Sequence, residues 1–234
     1  MTGPLLPEGH RFLSHHAGLE AVLFDWDGTL VDSAAATFEC YQRLFKSYGI
    51  AFDRRRFAEP YLPDWHETYR LLGLAEERWA AADSRWLELY SEQRVLALPH
   101  AAAVLARLAG AGLRLGLVTS GDPRRVAREA AALGLDHHLH ALVCAGDAPR
   151  PKPTPDPLLL ALARLEVRPE NAVFVGDSPE DVQMARAAGT GVIGIPGGFP
   201  NRDALAASAP DLLAASLTHA ADHLLAALST RRRA

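Results

Sequence analysis

Lysine is almost missing from this chain. Of its 24 basic residues only Lys46 and Lys152 are lysines, and the remainder are arginines. A lysine at 152 in so arginine-biased a composition lends weight to a role for an ammonium there. Cysteine is scarce too. Cys40 and Cys144 have neither metal-ligand spacing nor a disulfide framework, so a cysteine metal site and a disulfide scaffold are both excluded. Two buried, reduced thiols in a cytoplasmic protein are expected instead. Long apolar runs are absent as well. Arg, Asp, Pro or Gly interrupts every run before the roughly 18 residues that a membrane span needs, so no membrane partner is expected. Residues 1–8 have neither a basic start nor an apolar stretch, which excludes a secretory signal there. Positive charge is not in excess: 24 Lys+Arg stand against 28 Asp+Glu, a net charge of −4. That excludes a general nucleic-acid surface and leaves room only for a local basic patch around a small anion.

What is present is an ordinary globular composition. The 234 residues are 49% hydrophobic and 22% charged, enough for one large domain or a large one carrying a small one. Residues 1–18 read as a polar leader, with His10, His15 and His16 solvated, and Arg231–Arg233 as a solvated tail. The run Ala21-Val-Leu-Phe24 is short, continuous and apolar, and it stops at Asp25-Trp-Asp-Gly-Thr29. A continuous run suits a parallel strand buried on both faces. Residues 113–118, 172–175, 191–195 and, more weakly, 141–144 repeat the pattern. Helical patterns fall at about 99–110, 123–133, 155–165, 179–188 and 216–228. This alternation predicts an α/β fold with a doubly wound, Rossmann-like parallel sheet.

Residues 33–95 differ. No convincing strand occurs there, while Phe38, Tyr41, Leu44, Phe45 and Tyr48 recur at helical spacing, as do Trp79, Trp86, Leu87 and Tyr90. A small all-helical insertion after the first strand is expected, with most of these aromatics forming its own core. The predicted division is 1–31 with 98–234 for the α/β core and 32–97 for the insertion, with hinges at Val31–Ser33 and about Ala97–His100.

The strand ends carry polar residues that a core would reject. Ligands of open parallel sheets bind outside the carboxyl ends of the strands. Asp25, Asp27, Thr119, Ser120 and Asp177 should therefore meet in one cleft, with the segment after Cys144 nearby. Three clustered carboxylates repel one another and call for a cation; an all-oxygen set favours Mg²⁺. Lys152, set between two prolines, is a second cation, and Thr119 and Ser120 can donate to an anion. That combination suits phosphoryl transfer, with a carboxylate as nucleophile.

These residues carry a family resemblance. Phe24-Asp-Trp-Asp-Gly-Thr-Leu-Val-Asp-Ser33 resembles the first motif of the haloacid dehalogenase superfamily of hydrolases. Leu117–Ser120, Arg150–Pro153 and Val175–Asp181 resemble the second, third and fourth, in the family's order. The resemblance implies that Asp25 is the nucleophile, and that Asp27 is a general acid and then a base. It implies that Thr119, Ser120 and Lys152 bind the phosphoryl group. Mg²⁺ would be held by Asp25, the Asp27 carbonyl and Asp177, with Asp181 reaching it through water. The helical insertion takes the place of the family's small cap. Dehalogenases and phosphonate-cleaving members lack the second aspartate that Asp27 provides, and Lys46 is read as solvated rather than as a phosphonatase lysine.

The best match is the phosphoglycolate-phosphatase-like group: a cytoplasmic phosphatase, monomer or homodimer, acting on a small phosphorylated metabolite such as phosphoglycolate. A sugar-phosphate mutase and an inactive binding module are the alternatives. Arg54-Arg-Arg56 mimics the basic residues of the mutases only loosely. Within the insertion, Asp64 is expected to cap a helix starting near Trp65, and Trp65 and His66 are candidates for reading the leaving group.

Overall fold

The computed structural model describes residues 18–58 and 65–231. Its centre is a six-stranded sheet of order β5-β4-β1-β6-β7-β8, with every pair parallel. The strands are β1 (Ala21–Phe24), β4 (Arg114–Val118), β5 (Ala141–Val143), β6 (Ala172–Gly176), β7 (Gly191–Gly194) and β8 (Leu212–Leu213). Each apolar run supplies both faces. Val22 and Phe24 pack with α5 (Ala101–Gly110), α6 (Pro123–Leu133) and α10 (Leu217–Arg231). Ala21 and Leu23 pack on the other side with α7 (Asp156–Leu165) and α8 (Pro179–Ala188). This two-sided burial is why the runs are continuous rather than alternating. The helix α9 (Arg202–Ala207) and the edge strand β8 are too short for periodicity to reveal.

Strand order places the cleft. From β1 the chain passes to β4 and β5 on one side, and later to β6, β7 and β8 on the other. The carboxyl end of β1 is thus the switch point, where an open crevice forms.

Among the described residues, the α-helices between β1 and β4 that precede α5 are α1 (Ala34–Ser47), α2 (Arg54–Ala58), α3 (Trp65–Leu71) and α4 (Trp79–Ser91). They enclose an apolar cluster of their own, built on Tyr41, Phe45, Phe52, Tyr69, Trp86 and Tyr90. Phe45 alone meets Tyr41, Phe52 and Tyr69. The two passages between sheet and cap run side by side as an antiparallel ribbon. In it β2 (Val31–Asp32) pairs with β3 (Leu96–Ala97). Strand pairing at these passages was not expected. Cys40 and Cys144 are free and buried, and burial pushes their thiols up to about 12 and about 11. Neither is a nucleophile at neutral pH. Among the described residues no helix is long and apolar enough to cross a membrane.

Candidate active site

Three tight turns set the site. After β1, the Asp25 N–H donates to Val175 O at 2.9 Å, continuing the ladder with β6. The chain then turns at Gly28, whose φ of +80° suits glycine. A Cβ there would lie 2.1 Å from Asp177 Oδ2, and one at Gly197 would lie 2.2 Å from the same atom. Asp177 is therefore wrapped by backbone that only glycines permit. After β4, Asp122 caps α6 by accepting from Arg125 N, with Pro123 following. After β6, Ser178 and Asp181 form a capping box at the start of α8. Ser178, not Asp177, is the cap, which leaves the Asp177 carboxylate for other work.

The charged groups converge. Lys152 Nζ donates to Asp25 Oδ1 at 2.7 Å and to Asp181 Oδ1 at 2.8 Å. The other oxygen of Asp181 accepts from the N–H groups of Asp177 and Ser178 at 3.2 Å each. Carboxylate oxygens of Asp25, Asp177 and Asp181 lie within 4.8 Å of one another. Burial pushes Asp25 up to about 7 against the pull of Lys152, and the Asp181 charge adds to the rise. Burial, with Asp25 and Asp181 close by, also raises Asp177 well above the carboxylate range. Burial alone would lower Lys152, but Asp181 and Asp25 outweigh it and hold the ammonium charged. Asp177 Oδ2 is buried without a hydrogen-bond partner among the described residues. An orphaned carboxylate oxygen in a crowd of carboxylates fits a hard divalent cation such as Mg²⁺.

Thr119 is buried, and its hydroxyl accepts from Gly121 N at 3.0 Å, which leaves the hydroxyl proton to donate. It lines a cavity of about 750 Å³ together with Asp25, Asp27, Ser120, Lys152, Asp177 and Asp181. The far wall belongs to the cap: Tyr41, Phe52, Phe57, Trp86, Arg56 and His66.

The family follows from this arrangement. A model of haloacid dehalogenase-like hydrolases matches residues 22–195. The chain belongs to the haloacid dehalogenase-like hydrolases. It is 37% identical to a phosphoglycolate phosphatase of Salmonella typhimurium over 123 residues, 53% of this chain and 49% of that protein. The chain thus spans about half the length of the first curated relatives it matches. It is 32% identical to the phosphoglycolate phosphatase of Yersinia pestis over 216 residues, 88% of this chain and 92% of that one. Among solved structures, a protein of Lactobacillus plantarum provisionally named phosphoglycolate phosphatase superposes with a TM-score of 0.80 at 23% identity. The match covers 88% of this chain and 99% of the other. A protein of Thermotoga maritima provisionally named β-phosphoglucomutase reaches 0.69 at 26% identity, covering 89% and 99%.

The structure brings all seven motif residues of this chain to one cavity. Its cap residues are less simply placed. Asp64 lies outside the described residues, and of Trp65 only the backbone, at the start of α3, is described. His66 lines the cavity, but its Nε2 lies 2.9 Å from Asp83 Oδ2 and its ring stacks on Trp79 at 4.8 Å, so it also packs the cap. Of the three arginines, Arg54 lies over the Phe38 ring and Arg56 lines the cavity. Lys46 is exposed on α1.

Two residues escaped the sequence. Asn201 Nδ2 donates to the Asp177 carbonyl at 3.0 Å and steadies that turn. Arg125 is buried and forks onto Asp27, with Nη1 to Oδ1 at 3.0 Å and Nη2 to Oδ2 at 2.5 Å. Burial would raise Asp27, but Arg125 outweighs it and holds the carboxyl below its usual range. The available signal was spacing: Arg125 and Glu129 share a face of α6 with the apolar Val126 and Ala130.

Proposed function

We propose that this hydrolase is a Mg²⁺-dependent phosphatase acting on a small phosphate monoester through a phosphorylated Asp25. One observation carries the reading. Asp25, 2.7 Å from Lys152 Nζ, shares a cavity with a second carboxylate two residues on, Asp27. Lys152 and the Thr119 hydroxyl would hold the phosphoryl oxygens. An Asp25 carboxylate oxygen attacks phosphorus as the bond to the leaving oxygen breaks; Arg125 holds the resting Asp27 as a carboxylate, so the proton that Asp27 gives the leaving oxygen is one it has first taken from the entering phosphate monoanion. Asp27, now a carboxylate, takes a proton from the water that attacks phosphorus next. The Asp25–phosphorus bond then breaks and inorganic phosphate leaves. Asp25, Asp177 and the Asp27 carbonyl would hold Mg²⁺, with Asp181 acting through water. The bound ion would offset negative charge on the phosphoryl group.

Phosphoglycolate is the substrate that the names of the relatives support. Its carboxylate would meet Arg56 on the cap wall. The cytoplasm is the proposed setting. The test is an acid quench during turnover of para-nitrophenyl phosphate, followed by peptide mapping. Phosphate on the peptide carrying Asp25 is expected, and its absence at any quench time sinks the covalent route. The likeness to a mutase fold is addressed by supplying sugar monophosphates: accumulation of an isomer instead of inorganic phosphate would favour that reading.

A further inference from the structure

Arg125 performs no step of the reaction proposed above, yet it is buried as deeply as Lys152 at the wall of the same cavity. Its side chain is 5% exposed. Its Nε is buried without a hydrogen-bond partner among the described residues, so its two terminal nitrogens carry the contacts that hold the charge. The rigid fork takes both oxygens of Asp27, at 3.0 and 2.5 Å, and so sets the plane of that carboxyl group. Nη1 also reaches Glu129 Oε2 at 3.2 Å, one turn along α6. Glu129 is fixed in turn by the Trp26 Nε1–H, which donates to the same oxygen at 2.9 Å. Trp26, fully buried, is the residue between the two aspartates. From the cap side, the Tyr90 ring of α4 lies 4.8 Å from the guanidinium carbon. The room for this is built in: a Cβ at Gly121 would lie 2.5 Å from Arg125 Nη2.

Forked arginine–carboxylate pairs also serve as plain structural ties; this fork differs in gripping the proton-handling carboxylate. Proton transfer to a leaving oxygen demands that the acid lie within hydrogen-bond reach in the right direction. A carboxyl group held by two donors keeps its plane even when one contact is given up, so one rotamer serves both chemical steps. The Tyr90 contact makes that rotamer depend on how the cap is seated.

We infer that Arg125 is a positioning residue: with Glu129, Trp26 and Tyr90 it orients the Asp27 carboxyl group for proton transfer and ties that orientation to the cap. The inference rests on the acid–base reading of Asp27.

The experiment compares an alkyl phosphate with para-nitrophenyl phosphate, whose good leaving group asks little of an acid. Arg125→Lys keeps the charge but loses the fork. The alkyl kcat should fall about 10- to 100-fold, while the rate of phosphorylation by the aryl ester changes about 3-fold or less and KM little. Glu129→Gln, which keeps an oxygen for Trp26, is the second variant, for the case that Arg125→Lys does not fold. It should show the same selective loss at about 3-fold. Guanidinium ion should restore part of the alkyl rate to Arg125→Ala. Equal losses on the two esters would reduce Arg125 to packing and overturn the inference. Asp27→Asn separates the two readings. If it shows the alkyl-selective loss and the Arg125 and Glu129 variants do not, only the positioning role falls. If Asp27→Asn shows no selectivity, the acid–base reading falls and the inference with it.

Discussion

On the two faces of the sheet the buried side chains are mostly aliphatic: Val22, Leu115, Leu117, Val173 and Ile193 on one, Leu23, Val118, Leu162 and Val192 on the other. In the cap they are rings, with Tyr41, Phe45, Phe52, Tyr69, Trp86 and Tyr90 in one cluster. The sheet places its chemistry by backbone. Phe24 is in register with Val175, so Asp25 and Asp177 begin from adjacent rungs of one ladder and their separation follows from strand pairing. Among the described residues the cap has no ladder beyond the two-residue ribbon at its base, and its cavity wall is positioned by tilted rings. Such a wall can change side chains without moving the reacting groups. Chemistry on the rigid part and recognition on the ring-packed part is the division that the comparison suggests.

The largest effect should come from the ladder side. Asp25→Asn should lower turnover at least ~10³-fold on every ester, with an unchanged or higher melting temperature because one crowded carboxylate is gone. Steady-state rates and a thermal melt check both halves. A loss that varies with the leaving group would mean that the cap contributes to the first chemical step.

Metal dependence comes next. Chelator should abolish turnover. Asp181→Ala should raise the Mg²⁺ concentration needed for half-activation about 10- to 100-fold, and Asp177→Ala should raise it more. Magnesium titrations of the two variants decide the order. Asp181 also holds Lys152 and the start of α8, so its variant should lose thermal stability that Asp177→Ala keeps.

A third measurement separates the two cores. Phe45→Ala should cost about 3–5 kcal/mol and Leu23→Ala about 2–5 kcal/mol, since both side chains are fully buried. Hydrogen exchange should then differ in pattern. Phe45→Ala should speed exchange mainly within 34–91, whereas Leu23→Ala should speed it across the sheet. Uniform acceleration in both would show that cap and sheet open as one unit.

The smallest effect tests recognition. Arg56→Ala should raise KM for phosphoglycolate about 10-fold and leave para-nitrophenyl phosphate nearly unchanged, the pattern of a lost binding contact away from the reacting atoms. His66→Ala should re-rank substrates only weakly, because its ring is already engaged by Asp83 and Trp79. Equal effects on both esters would move specificity elsewhere in the cap.

How much was legible varies with the range of the signal. The run Ala21–Phe24 and its stop at Asp25 are local, and so are Ser178-Pro179 opening a helix and Asp122-Pro123 opening another. Each could be read in a window of a few residues. The strand Leu212–Leu213 was not legible, because two residues carry no period. Arg125 was harder still. It sits among Arg124 and Arg128, both exposed, and nothing in a list of arginines marks the buried one.

By itself, then, the sequence determined the alternation of strands and helices, the helical insertion, and which carboxylates end which strands. Backbone propensity and hydrophobic period are properties of neighbours along the chain. Only the tertiary structure decided the order in which the strands lie and the partners that the charges choose. Asp181 spends its oxygens on Lys152 and on two backbone N–H groups, and Asp27 is gripped by an arginine 98 residues away. Those choices depend on which helix face the sheet buries. A buried guanidinium must find carboxylates wherever the packing has put them.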